Sequence, residues 1–268
     1  MGRLATLGAA LLAGACTVHA AGSAAARAGG GAVQRAPLMF VWPTSIDLQP
    51  DGSLLVVENG AGRVDRVRPA TGQVAIVAAG LAKPFAAVRG ASRTLYISNG
   101  HALLRDGRTV ARTHADIGPI AVAPSGDVFY TTGTAAFRLG DPKPLVKGLD
   151  VPHGIAIAAD GAVLVSDTGH DRVLRIAVGD VSTLIAIRQP RGIDVAHDGT
   201  IDVVEAVAKR VGHYSAAGER LGNVGPRYSD PYDVQVAPNG VVYVLATAAL
   251  GTIERIAPNG VASVVRGP

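Results

Sequence analysis

The chain has 268 residues, of which 48% are hydrophobic and 17% charged, with a formal net charge of +4. That balance supports a sizeable folded core and excludes a disordered or collagenous chain. The isoelectric point is near 9.5, but setting aside Arg3, Arg27 and Arg35 leaves 22 basic residues against 21 acids, and no Lys/Arg-rich run marks a nucleic-acid surface.

The first 20 residues read as an export signal. Arg3 supplies a short positive region, and Leu4 to Ala15 is apolar but too short to span a bilayer comfortably. Two processing routes fit. Val18-His19-Ala20 presents small residues for cleavage after Ala20. Leu12-Ala13-Gly14-Ala15-Cys16 resembles a bacterial lipobox, in which Cys16 would carry a lipid anchor. The chain is therefore expected in the periplasm or outside the cell, free or membrane-anchored. Cys16 is the only cysteine, so the folded part relies on packing rather than disulfides. Residues 21–36, rich in Ala, Gly and Arg, read as a flexible tether.

From residue 37 onward one phrase recurs. A Pro or Ile is followed nine residues later by a turn Gly, with an alternating apolar run between them. It runs from Pro43 to Gly52, Ile117 to Gly126, Pro152 to Gly161, Pro190 to Gly199 and Pro231 to Gly240, with a weaker copy from Pro84 to Arg93. The starts are 33 to 41 residues apart, a spacing that signals a propeller or array built of short strands.

The fourth copy shows how one repeat becomes one blade. Ile155 and Ile157 begin a first strand, Asp160-Gly161 turns the chain, and Val163–Ser166 forms a second, more buried strand. A polar turn, Asp167–Asp171, leads to the alternating strand Arg172–Ile176, and Gly179-Asp180 leads to a fourth strand, Val181–Ile185. Blade one repeats the pattern with Leu54–Val57, Arg63–Val67 and Val74–Val77. Blade five offers Ile201–Val204 and Arg210–Tyr214, and blade six Val241–Leu245, Thr252–Ile256 and Val261–Val265. The expected fold is all-β: a single six-bladed propeller of four-stranded antiparallel blades over residues 37–268, monomeric. The ring can close in two ways. Val261–Val265 completes the last blade in phase, or Leu38–Trp42 adds to it or replaces it.

Leu164-Val165-Ser166-Asp167, followed by Arg172-Val173, resembles the NHL repeat. Glu58-Asn59 before Arg63-Val64 echoes it, as does Glu205 before Arg210-Val211. The resemblance covers residues 43–268. It implies the propeller fold and leaves activity open, because this scaffold hosts enzymes and binding modules alike. It also implies that ligands bind at the mouth of the central channel, next to the residue after each Pro or Ile. Those residues are Thr44, Phe85, Gly118, His153, Arg191 and Tyr232, followed by Ser45, Ala86, Pro119, Gly154, Gly192 and Asp233. His153, Arg191, Tyr232 and Asp233 form a polar group on blades four to six, facing a small or apolar side on blades two and three.

His153 is the sharpest candidate, as general base or as ligand to a divalent metal; alternatively it fills the channel and bonds to backbone. Arg191 suits a carboxylate or phosphate, or pairs with Asp233. Tyr232 and Phe85 suit stacking on a ligand, and Thr44 and Asp233 add polar contacts. Propellers of the gluconolactonase type hold a metal with Glu, Asn and Asp, where this chain has Thr44, His153 and Arg191; an arginine cannot ligate. Virginiamycin B lyases carry a Pro-His-Gly-like phrase with an acid fourteen residues on, matched here by His153 and Asp167. Their second histidine and the acid before the Pro-His pair have no counterpart. Glu58, Asp167 and Glu205 share one repeat position, read as a cation-binding ring or, more simply, as acceptors of backbone N–H groups. Two function classes follow: a ligand- or protein-binding module of the cell envelope, or a hydrolase or lyase (lactonase-like or C–O lyase) with His153 at its centre.

Overall fold

The computed structural model describes residues 36–90, 92–247 and 250–267. The expected export signal, the expected lipobox and nearly all of the expected tether lie outside the described residues.

The chain folds into six antiparallel sheets of four strands, each built from consecutive strands in chain order. The inner strands carry the repeated phrase: Pro43–Leu48, Pro84–Arg89, Ile117–Val122, Gly154–Ile157, Pro190–Val195 and Pro231–Val236. The recurring turn at the end of each phrase has one physical basis. Gly52, Gly126, Gly161, Gly199 and Gly240 all have φ between 75 and 91°, a left-handed conformation that only glycine adopts freely. Each donates its N–H to the carbonyl three residues back, as in Gly161 to Ala158 at 2.9 Å. In blade two Arg93 takes the same place with φ 63° and the same bond to Gly90, so the weak copy keeps the turn at a conformational cost.

Second strands such as Leu54–Glu58 and Val163–Asp167 are buried at every position, because both faces meet neighbouring blades. Third strands are mixed: in Arg172–Ala177, Val173, Leu174 and Ile176 are buried and the other three residues half-buried. The expected strands are present, and the structure adds ones that the sequence reading left out, including Arg220–Val224 at the edge of blade five and a 3-10 turn at Thr168–His170 in blade four. There is no single core. The buried apolar residues form six clusters, one in each wedge between adjacent blades. The cluster between blades six and one, for example, joins Ile46 and Leu54 to Tyr243 and Leu245.

Both closure routes contribute. Ala262–Val264 completes blade six in phase, and the stretch before blade one stitches onto it rather than replacing a strand. Leu38 N–H donates to Val265 O at 3.1 Å, and Phe40 exchanges bonds with Gly251 at 2.9 and 3.0 Å. The seam is tied from the inside as well: Asp233 Oδ2 accepts Ile46 N–H at 2.9 Å and Gln235 Oε1 accepts Leu48 N–H at 3.1 Å.

Candidate functional site

Of the six residues that follow each Pro or Ile, Thr44, Phe85, Gly118 and His153 line the two cavities at the centre of the ring. Rings from blades two, four and six pack together. His153 lies 6.3 Å from Phe85 and 5.7 Å from Tyr232 between centroids, the latter edge-on at 87°. The Arg191 guanidinium sits 5.1 Å from the Tyr232 ring, a cation–π arrangement. Gly154 and Gly192 allow the inner strands to crowd: a Cβ at Gly192 would overlap the Asp233 carboxylate, and one at Gly154 the Arg191 carbonyl.

Asp233 does not join this group. Its two oxygens accept Ile46 N–H and Val234 N–H, each at 2.9 Å, so it turns into the channel wall below the rings. The partner of Arg191 is Asp230, at 2.7 Å, not Asp233. Asp230 lies just before the phrase and was missed in the sequence. Burial raises its pKa, but bonds from Thr247 and Arg191 outweigh this and hold it below the usual carboxylate range. Thr44 gives its hydroxyl proton to Phe85 O at 2.6 Å, which ties blade one to blade two.

His153 sits in a polar cradle on one side only. Its Nδ1 is 3.1 Å from Thr168 Oγ1. The Thr168 hydroxyl has a single proton, and its 2.5 Å bond to Pro190 O takes it. Thr168 therefore accepts, the imidazole carries its proton on Nδ1, and Nε2 keeps a lone pair. Burial first, and the Arg191 charge second, lower the His153 pKa, against a carbonyl of Val151 that raises it. The ring is neutral at pH 7, and Nε2 has no hydrogen-bond partner among the described residues. Tyr232 is pushed up to about 12, chiefly by burial, so its phenol remains a proton donor.

Asp167 is drawn away from His153. One oxygen accepts Asp150 N–H at 2.7 Å, and the other accepts from Arg172 and His170, both at 2.9 Å. Glu58 accepts Val41 N–H at 2.6 Å and binds Arg63. Glu205 accepts from Arg210, Tyr214 and Arg220. The shared acidic position thus ties turns and strands together in blades one, four and five, and no hydrogen bond joins Asp167 to His153.

Two cavities meet at the rings. A mouth recess of about 340 Å³ lies over blades two to four, between Phe85, Ile117, Val151 and His153. The channel below, about 260 Å³, is lined by Asp47, Asp194 and Asp233 on one side and by Val88, Ala121 and Ala156 on the other. Phe85 and His153 border both. Asp47 and Asp194 were also missed. The signal was present: they stand four residues after the Pro, where blades two to four carry Val88, Ala121 and Ala156.

A divalent metal does not fit the mouth. Among the described residues no group of three or more His, Cys, Asp or Glu is placed to hold one. His153 has a single open nitrogen, and the nearby Arg191 charge would repel a dication.

These features define a six-bladed β-propeller with a capped central channel. No protein-family model and no curated protein matches the sequence. Solved structures do match. Virginiamycin B lyase from Staphylococcus aureus is 16% identical, with a TM-score of 0.64 over 83% of each chain. A gluconolactonase from Xanthomonas campestris is 17% identical, with a TM-score of 0.70 over 82% of this chain and 88% of its own. The calcium-binding protein regucalcin from Agrobacterium tumefaciens is 15% identical, with a TM-score of 0.64 over 88% and 93%. At these identities the likeness establishes the fold, shared with gluconolactonase-like and virginiamycin B lyase-like propellers. Membership of the NHL-repeat family is not established.

Proposed function

We propose that this propeller is a small-molecule-binding protein whose ligand lies across the channel mouth, against Phe85, His153 and Tyr232. One observation carries this reading: a neutral imidazole with an open Nε2, flanked by two aromatic rings where two cavities join. Apolar walls with a few convergent polar groups are how such sites are generally built. The ligand class that fits is a flat or cyclic molecule with one hydrogen-bond donor for Nε2. We also propose export and a place in the cell envelope, free after cleavage at Ala20 or anchored at Cys16; mass spectrometry of the mature N-terminus separates the two, since a plain Ala21 start excludes the lipid.

The lone pair on Nε2 supports a second reading, a lyase or hydrolase that needs no metal. In it His153 accepts a proton, the Tyr232 phenol donates one, and Arg191 offsets negative charge that develops on the substrate. Asp167 has no part in either reading.

A thermal-shift screen of cyclic esters and small aromatic compounds tests both, with turnover followed in parallel. Binding by the wild type that is lost in His153→Ala and Tyr232→Ala supports the mouth site. Turnover lost in His153→Ala favours the enzyme. No shift and no turnover from the wild type contradicts both.

A further inference from the structure

The channel beneath the rings is acidic on one wall and apolar on the other. Asp194, Asp233 and Asp47 sit on the successive blades five, six and one, and each reaches the next blade: Asp194 Oδ2 accepts Val236 N–H at 2.7 Å, Asp233 Oδ2 accepts Ile46 N–H at 2.9 Å, and Asp47 Oδ2 accepts Arg89 N–H at 3.2 Å. A carboxylate oxygen accepts at more than one position, so each keeps capacity toward the cavity they line. Ser45 adds an independent sign that something belongs there. It is only 9% exposed, its Oγ has no hydrogen-bond partner among the described residues, and it lines the same cavity. A buried hydroxyl without a partner carries a desolvation cost that a ligand would remove.

We propose that this channel holds the ammonium group of an amine-bearing cyclic ligand, whose ring lies in the mouth recess against Phe85 and His153. The inference rests on the mouth-site reading and deepens it by naming the ligand class. An ammonium has three N–H donors and no acceptor, which matches a wall of three carboxylates and a hydroxyl. A bare metal ion does not match, because no three of these acids are placed to coordinate one directly. The opposite wall of Val88, Ala121 and Ala156 offers a cation nothing, so the charge is drawn to blades five, six and one.

The charged surroundings make binding pH-dependent. Burial raises all three carboxylates to about 7. Asp194 also raises Asp47 and Asp233, Asp47 raises Asp233, Asp202 raises Asp194, and the Arg89 charge beside Asp47 opposes the shift there. An ammonium favours their ionised forms, so binding releases protons and tightens as pH rises from 6 to 8.

Calorimetric titration of the full-length protein with benzylamine, against benzyl alcohol as the uncharged isostere, tests this. Benzylamine should bind about tenfold tighter at pH 7.5, the scale of one charge-assisted hydrogen bond. Asp194→Asn keeps an acceptor for Val236 N–H, gives up the one for Val195 N–H, and should erase the preference. Ser45→Ala, which removes only an unpartnered group, should lower it several-fold without loss of folding. Equal binding of the two probes overturns the inference and leaves the mouth site standing. Binding of neither overturns both. Displacement of benzylamine by equimolar sodium or calcium reassigns the channel to an inorganic cation and overturns the ammonium reading.

Discussion

His153 and Thr168 are joined by a 3.1 Å bond from Nδ1 to Oγ1, and the Thr168 hydroxyl passes its own proton to Pro190 O on the next blade at 2.5 Å. The relay fixes the tautomer of the one histidine at the channel mouth. It also links the imidazole to the junction of blades four and five, so its orientation depends on ring closure.

Thr168→Val removes the acceptor while keeping the side-chain shape. The proton should then distribute between Nδ1 and Nε2. Binding of benzyl alcohol should weaken about fivefold to tenfold, the scale of one hydrogen bond. Titration calorimetry checks this, and unchanged affinity would show that the tautomer is immaterial.

Binding at the mouth should be flat from pH 8 down to the ordinary histidine value near 6.5 and decline only below it. The sign follows from burial and from Arg191, which both favour the neutral ring. A neutral-ligand binding curve that instead loses half its strength above pH 6.5 would place the controlling group elsewhere.

Stability should rise as pH falls from 8 to 5. Asp47, Asp194 and Asp233 titrate at about 7 in the folded chain against an ordinary 3.8. The folded state thus holds more protons in that window, and the stabilisation is lost as pH rises through 7. Each group contributes at most about 1.4 kcal/mol per pH unit; His153, with its lowered pKa, acts in the opposite direction below about 6.5. Asp194→Asn should therefore show a shallower pH slope than the wild type. Melting curves at several pH values decide it.

Asp167→Asn should cost about 3 kcal/mol of stability, because it leaves Arg172 and Asp150 N–H without their charged acceptor. Affinity for mouth ligands should be unchanged once the variant is folded. Denaturant unfolding and binding, measured side by side, separate this structural part from a catalytic one.

Val151→Asn should stabilise the chain by about 1 kcal/mol. Val151 is a β-branched residue with φ 47° directly before Pro152, and it is 53% exposed, so the change relieves backbone strain and removes little packing. A lower denaturation midpoint would contradict that.

The architecture was legible because it depends on local rules repeated six times: an apolar first strand and a left-handed turn, held by glycine in five blades and by Arg93 in blade two. The mouth residues were legible for the same reason, since the deviations Thr44, Phe85, His153, Arg191 and Tyr232 stand out against a regular frame. What could not be read was direction across blades. Asp233 adjoins Tyr232 in sequence but points along the next blade, and the Asp230 that pairs with Arg191 stands outside the phrase. His153 and Asp167 share a blade at a suggestive spacing, yet Asp150, His170 and Arg172 occupy the carboxylate. Asp47 and Asp194 were visible as polar residues at an apolar position, and only the closed ring shows that they face one cavity.

The central claim is a neutral His153 with an open Nε2 at the ligand site. Nitrogen NMR of the histidine-labelled protein at pH 7.5, assigned with His153→Ala, tests it directly. A protonated Nδ1, an unprotonated Nε2, and a shift of the Nε2 resonance on adding benzyl alcohol are expected. A charged ring, a proton on Nε2, or a resonance indifferent to the ligand would contradict it.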